Sequence, residues 1–286
     1  MTTKWFGILL ALATLPLFAQ SPDGATSLLT PDGRIPRQHP PRKVLPDMAP
    51  EWDAKNHVTV SYNLSWAGYA VTGSDFTAVN GSWTVTEPNC SKTPDTYSSE
   101  WVGIDGWDSD TVEQIGTDTD CTGKTPYFYV WYEFFPLNTV VISDVSIKAG
   151  DVFSASVIYE GSNEYTVSIK NDTTGQSFSK KVKFGGAVGS GTPKRNSAEW
   201  IMEMDSGGEL ALTDFGTDSF GQYYTGVSGG TDTAVDSAHS GPITDFGSAV
   251  QKSITTQNGE STSPKTSLPS NLAPDGSSFT VKWKSD

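Results

Sequence analysis

The chain has 286 residues, of which 36% are hydrophobic and 11% aromatic, so it can bury the core of one large domain or two small ones. Its 19 basic and 33 acidic residues give a formal net charge of −14, which argues against nucleic acid as a partner. With three histidines, two cysteines and no HExxH, CxxC or P-loop pattern, we expect neither a metal nor any other cofactor.

The N-terminus has the pattern of an export signal. Lys4 is followed by an apolar run from Trp5 to Phe18 and then by Ala19, after which the sequence becomes polar. The run is shorter than the about 20 residues that span a bilayer, and a small residue at its end is typical of signal-peptide cleavage. We therefore predict a signal peptide at residues 1–19 and a secreted, extracellular protein without a membrane span.

Residues 20–57 differ from the rest of the chain in composition. They are rich in proline, show no sustained strand or helix period, and between Gly33 and Val44 carry only positive charges. These charges are Arg34, Arg37, Arg42 and Lys43. The segment is either a flexible linker or a basic propeptide that lies on an acidic groove until it is removed.

The two cysteines, Cys90 and Cys121, have two possible states. In an exported protein a disulfide is the more common one, and closing this loop of about 32 residues stabilises the fold by roughly 3–4 kcal/mol in the chain-entropy model. The alternative is a pair of free, buried thiols.

From residue 58 to residue 286 the sequence consists of short alternating runs separated by Gly, Asn, Asp and Pro. Val, Thr, Tyr, Trp and Phe dominate these runs, as in Tyr127 to Phe135 and Val152 to Tyr159. This is the pattern of β-strands joined by turns. We predict one all-β domain, built most simply from two packed antiparallel sheets.

Alternation also sorts side chains by face. In residues 198–204 a core face with Trp200 opposes a face with Glu199 and Glu203. The same sorting puts acids or amides beside a large aromatic or a Gly in three other runs: Trp101 with Asp105, Gln114 with Asp118, and Tyr129 with Trp131 and Glu133. Tryptophan at this density is more typical of a ligand groove than of a solvated strand.

Several function classes fit such a groove less well or only in part. The string Asp205-Ser206-Gly207-Gly208 occurs around serine-protease nucleophiles, but the only upstream histidines, His39 and His57, lie within residues 20–57. A non-catalytic carbohydrate-binding module or a glycoside hydrolase remains an alternative, since sandwich folds bind sugars over Trp faces and Glu199 with Glu203 can be imagined as acid and nucleophile.

Five ordered strings resemble one family, the eqolisins or glutamic peptidases. They are SWAGY around Trp66, EWVGIDG at 100–106, QIGTD at 114–118, WYEFFP at 131–136 and AEWIMEMDSG at 198–207. The resemblance implies a secreted acid endopeptidase on a concanavalin A-like sandwich of two curved antiparallel sheets, acting as a monomer on protein or peptide substrates.

The resemblance also implies site residues. The catalytic pair would be Gln114 and Glu199. The groove residues would be Trp66, Trp101, Asp105, Asp118, Tyr129, Trp131, Glu133 and Glu203, with Tyr129 replacing a family acid. Family precursors carry a removable basic propeptide, which favours that role, as an intramolecular inhibitor, for residues 20–57.

Overall fold

The computed structural model describes residues 25–45, 48–185 and 191–285, so the predicted signal peptide at residues 1–19 lies outside the described residues. Nearly all regular structure in these ranges is β-strand. None of the described helices is long and apolar enough to cross a membrane.

The strands, in chain order, are β1 (Thr26–Ser27), β2 (Glu51–Asp53), β3 (Val58–Asn63), β4 (Trp66–Thr72), β5 (Ala78–Thr84), β6 (Ser99–Ile104), β7 (Val112–Thr122), β8 (Thr125–Phe135), β9 (Val140–Ile142), β10 (Val152–Gly161), β11 (Glu164–Asn171), β12 (Ser177–Lys183), β13 (Ser197–Glu203), β14 (Thr217–Phe220), β15 (Thr233–Val235), β16 (Ser240–Pro242), β17 (Val250–Thr256), β18 (Lys265–Pro269) and β19 (Phe279–Trp283). The helices are short: α1 (Asp205–Gly208), α2 (Gln222–Thr225) and a 3₁₀ helix at Ile243–Ala249.

Hydrogen bonds arrange the strands in two runs. The first run has the order β1-β9-β8-β7-β6-β13-β4-β17-β3-β2 and is antiparallel except for the parallel β17–β3 pair. The second has the order β18-β19-β14-β5-β10-β11-β12, with β15 and β16 also attached through β5. The β17–β18 pairing joins the two runs into one network.

The main core lies between the two runs. Val102 and Trp200 from β6 and β13 belong to the same buried cluster as Trp83 and Phe153 from β5 and β10. A second buried cluster, with Trp66, Trp101 and Trp131 among its members, lies on the other face of the first run. We call this second face the groove face. The predicted all-β antiparallel class is therefore confirmed, and so is the sorting of Trp200 to the core.

Both faces of the central strands are covered, which explains why every residue of β6 and β13 is buried. The predicted disulfide is present between Cys90 and Cys121, with an S–S distance of 2.05 Å. It ties the loop before β6 to the end of β7. The strand β2 pairs with β3, so the last part of residues 20–57 is continuous with the sheet.

Candidate active site

Three neighbouring strands bring Glu199, Gly103 and Gln114 into one row. Gly103 on β6 is paired with Glu199 on β13 at one side and with Gln114 on β7 at the other. Residues directly opposite each other share a face, and two strand spacings separate the outer backbones by about 10 Å. Both outer side chains are fully buried. The row therefore places an amide and a carboxyl on the same face, on either side of Gly103.

The glycine in the middle of the row keeps the space between them open. A Cβ at Gly103 would lie 3.0 Å from the Trp101 ring and 3.1 Å from the Cβ of Gln114, closer than Cβ atoms usually approach. Any side chain here would crowd the amide and occupy the gap toward Glu199.

Most of the other predicted groove residues share this face. Glu133 on β8 is opposite Gln114, and Trp101 and Trp131 lie on either side of Gly116. The next row contains Trp66, Glu203, Ser99, Asp118 and Tyr129. All of these residues are buried.

Hydrogen bonds and ring contacts fix the aromatic part of the groove face. The Trp101 indole N–H donates to Glu203 at 2.8 Å. The rings of Trp66 and Trp101 meet edge to face with centroids 4.8 Å apart.

Asp105 has a different position from the rest of the predicted set. It follows β6 with a φ of 73°, and its carboxylate accepts the backbone N–H groups of Lys194, Arg195 and Asn196 at 2.7–2.9 Å. Burial raises its pKa, and these three N–H groups oppose the rise. Asp105 therefore orders the loop that leads into β13, the strand of Glu199.

Burial also controls the ionisation of Glu199. It raises the pKa of Glu199 well above the usual range, with further contributions from Asp105 and Glu113, while the Ser197 hydroxyl and Arg42 act in the opposite direction. The carboxyl thus retains its proton to a higher pH than an exposed glutamate would.

The N-terminal segment, residues 25–45, lies across the groove face. Arg37 pairs with Asp118 at 2.8 Å and Asp120 at 2.5 Å. Further along, the Arg42 guanidinium stacks 3.6 Å above the Trp107 ring. The basic residues singled out from composition therefore meet acids and aromatics of this face.

His39 lies against Gln114 at one end of the row and against Glu133 and Trp131 on β8. Its backbone carbonyl accepts a hydrogen bond from Gln114 Nε2 at 2.7 Å, and its backbone N–H donates to Glu133 at 3.1 Å. The imidazole lies parallel to the Trp131 indole, with centroids 3.7 Å apart and planes within 2°. Although residues 34–45 form no strand or helix, His39 is fully buried. A peptide carbonyl is thus seated on the Gln114 amide.

Sequence reasoning missed three contributors to this site. Ser99 lies two residues before Trp101 on the same strand, so alternation could have identified it. Glu113, adjacent to Gln114, is buried on the opposite face of β7, where a charged residue is unusual. His39 has no local signal, because its role depends on contacts with residues 60 to 94 positions away.

The antiparallel all-β fold thus has an amide and a carboxyl on one tryptophan-rich face, and a segment of its own chain lies across that face with a peptide carbonyl on the amide. The profile of the Peptidase A4 family matches residues 64–265, which is well over half of the chain. The chain belongs to this family, and the resemblance to the eqolisins is confirmed.

Two curated relatives agree with this assignment, and a solved structure shares the fold. The chain is 31% identical over 180 residues to aspergillopepsin-2 of Aspergillus niger, covering 56% of this chain and 63% of the relative. It is 32% identical over 139 residues to scytalidopepsin B of Scytalidium lignicola, covering 49% and 51%. The matches thus span about half to two thirds of each relative's length. The structure of scytalido-glutamic peptidase with a transition state analog inhibitor shares the fold at a TM-score of 0.61 and 22% identity, covering 78% of this chain and 98% of that one.

Proposed function

We propose that this protein is a secreted acid endopeptidase that hydrolyses peptide bonds of proteins with Gln114 and Glu199. The observation that carries the proposal is the row Glu199–Gly103–Gln114, in which the amide already donates to a peptide carbonyl. The relatives also support the proposal, because their names, aspergillopepsin-2 and scytalidopepsin B, are those of peptidases.

The chemistry follows from the two side chains. Glu199, as a carboxylate, takes a proton from water while the Gln114 amide orients that water. The water oxygen then adds to the substrate carbonyl carbon, and the Gln114 N–H donates to the oxyanion that develops. Glu199 finally gives its proton to the leaving nitrogen, and the C–N bond breaks. A glutamine suits this position because it donates hydrogen bonds without titrating in acid.

We also propose that residues 20–57 act as an intramolecular inhibitor of this site. Supporting contacts are the Arg37 pairs with Asp118 and Asp120 and the seat of the His39 carbonyl on Gln114. Since burial raises the pKa of Glu199, a covered Glu199 stays protonated and cannot serve as the base. We expect removal of the segment to free the Gln114 amide and to let water reach the groove face.

The test is casein digestion at acid pH by the purified full chain and by Gln114→Ala and Glu199→Ala. We expect Glu199→Ala to abolish turnover of casein. Gln114→Ala should reduce the turnover about 10²–10³-fold, which is the usual effect of removing an oxyanion donor. Glu260→Gln, at an exposed acid, serves as the matched control. Near-UV circular dichroism establishes that each variant is folded. Wild-type digestion by either folded site variant refutes the assignment.

A further inference from the structure

The groove face holds a side-chain pocket next to the Gln114 amide, and its walls match one kind of side chain. The pocket is the space that the His39 imidazole fills. Its flat wall is the Trp131 indole, which the ring overlies at 3.7 Å. Its rim carries Glu133 beside the ring Nδ1 at 3.2 Å, and Asp118 and Ser99 beside the ring Nε2 at 3.2 and 3.0 Å.

Two acids on opposite sides of one ring distinguish between possible occupants. A neutral imidazole has one N–H donor and one acceptor nitrogen, so one carboxylate would face a lone pair; an imidazolium donates from both nitrogens. The positive ring also gains from stacking on tryptophan. The contacts therefore suit a protonated histidine.

Other side chains fit this pocket less well. A phenylalanine would stack on Trp131 but would donate no hydrogen bond to Glu133 or Asp118, so both acids would lose the ring N–H that an imidazolium gives them. A lysine is a point charge that cannot stack as a plane. The Ser99 hydroxyl, which donates to Asp118 at 2.7 Å, holds that acid in place for a ring nitrogen.

The pocket also has a defined position in the reaction. His39, whose ring fills the pocket, accepts a hydrogen bond from Gln114 with its backbone carbonyl and donates its backbone N–H to Glu133. A substrate residue bound in this way would have its own carbonyl attacked. We propose that this pocket is an imidazolium-selective subsite, so that the enzyme preferentially hydrolyses peptide bonds that follow histidine. The inference rests on the proposed peptidase function and names its substrate class.

The first experiment compares peptides with the sequence of residues 34–45, all with Pro40→Ala and with His, Gln or Phe at position 39. The full chain, pre-incubated under the acid conditions in which it digests casein, should cleave after His with a kcat/KM at least about tenfold above that for Gln or Phe. This corresponds to one hydrogen bond to a charged group, about 1.5–3 kcal/mol. Equal rates for the three peptides overturn the inference.

Variants assign the preference to the pocket. Asp118→Asn should move the ratio of kcat/KM for the His peptide to that for the Gln peptide toward one. If Asp118→Asn is inactive, Ser99→Ala is used in its place. Asp120→Asn, at the second acid bonded to Arg37, should leave the ratio unchanged. A ratio that persists in Asp118→Asn or Ser99→Ala places the preference elsewhere and overturns the inference.

A second readout does not need catalysis. In a Glu199→Ala chain at neutral pH, trypsin should cut slowly after Arg37 and Arg42, whose side chains are 15% and 7% exposed. Adding His39→Gln should accelerate these cuts at least tenfold, because the segment loses its anchor in the pocket. Unchanged protection contradicts the pocket. A chain that digests neither casein nor any peptide but shows the His39 effect overturns the proposed function instead.

Discussion

Acidic pH should stabilise this fold, and Asp218 offers the clearest test. Asp218 on β14 is fully buried, and burial raises its pKa to about 8. Burial, and after it the charge of Asp218, raises the pKa of Glu100, a second buried acid on the core face of β6. Thr117 donates to Glu100 at 2.9 Å, but this hydrogen bond does not offset the burial of the two acids.

The direction of this pH dependence follows from proton linkage, since the folded and unfolded chains bind the Asp218 proton with different pKa values. Between the unfolded value of 3.8 and the folded value of about 8, Asp218 keeps its proton when folded and loses it when unfolded. The contribution of Asp218 to the free energy of unfolding is therefore fully present below the unfolded pKa. It is lost by about 1.4 kcal/mol per pH unit as the pH rises from the unfolded to the folded pKa. From pH 4.5 to 6.5 this one group costs about 3 kcal/mol.

The perturbation is Asp218→Asn in an inactive Glu199→Ala chain, measured by urea unfolding at several pH values. Asn keeps the shape and can accept the Ser219 N–H, which the aspartate accepts at 2.6 Å. Between pH 4.5 and 6.5 we expect the free energy of unfolding to fall by about 3 kcal/mol less in the variant than in its parent. Glu260→Gln, at an exposed acid, should match the parent. Equal pH slopes for Asp218→Asn and the parent would refute the reasoning.

Three further predictions concern the disulfide, the central glycine and the release of the N-terminal segment. Replacing Cys90 and Cys121 with Ala should lower the free energy of unfolding by roughly 3–4 kcal/mol in urea titrations; a loss below 1 kcal/mol contradicts a constraint on the unfolded chain. Gly103→Ala should reduce casein turnover by about 10²-fold through displacement of the amide, whereas full turnover in a folded variant argues against the row geometry. Burial acts to raise the pKa of Asp118, but His39 and Arg37 outweigh it and hold that pKa below its usual 3.8. Chain shortening, followed by mass spectrometry, should therefore start only below about pH 4, and shortening at pH 6 would show that these ion pairs do not retain the segment.

The strand pattern by itself determined the fold class and which side chains of a strand share a face. A period of two decides which side chains share a face, so the separation of Trp200 from Glu199 could be read from the order of residues alone. The disulfide was also predictable, since the predicted export favours a bridge and two cysteines have only one intramolecular pairing.

Which strands are neighbours was decided only by the tertiary structure. Gln114 and Glu199 are 85 positions apart in the chain, and no local preference specifies that β6 lies between their strands with Gly103 in register. The seat of His39 and the burial of Glu100 beside Asp218 likewise depend on contacts between distant segments. Local sequence sets the direction in which a side chain points, whereas the packing of the whole chain sets what it meets and how strongly it is desolvated.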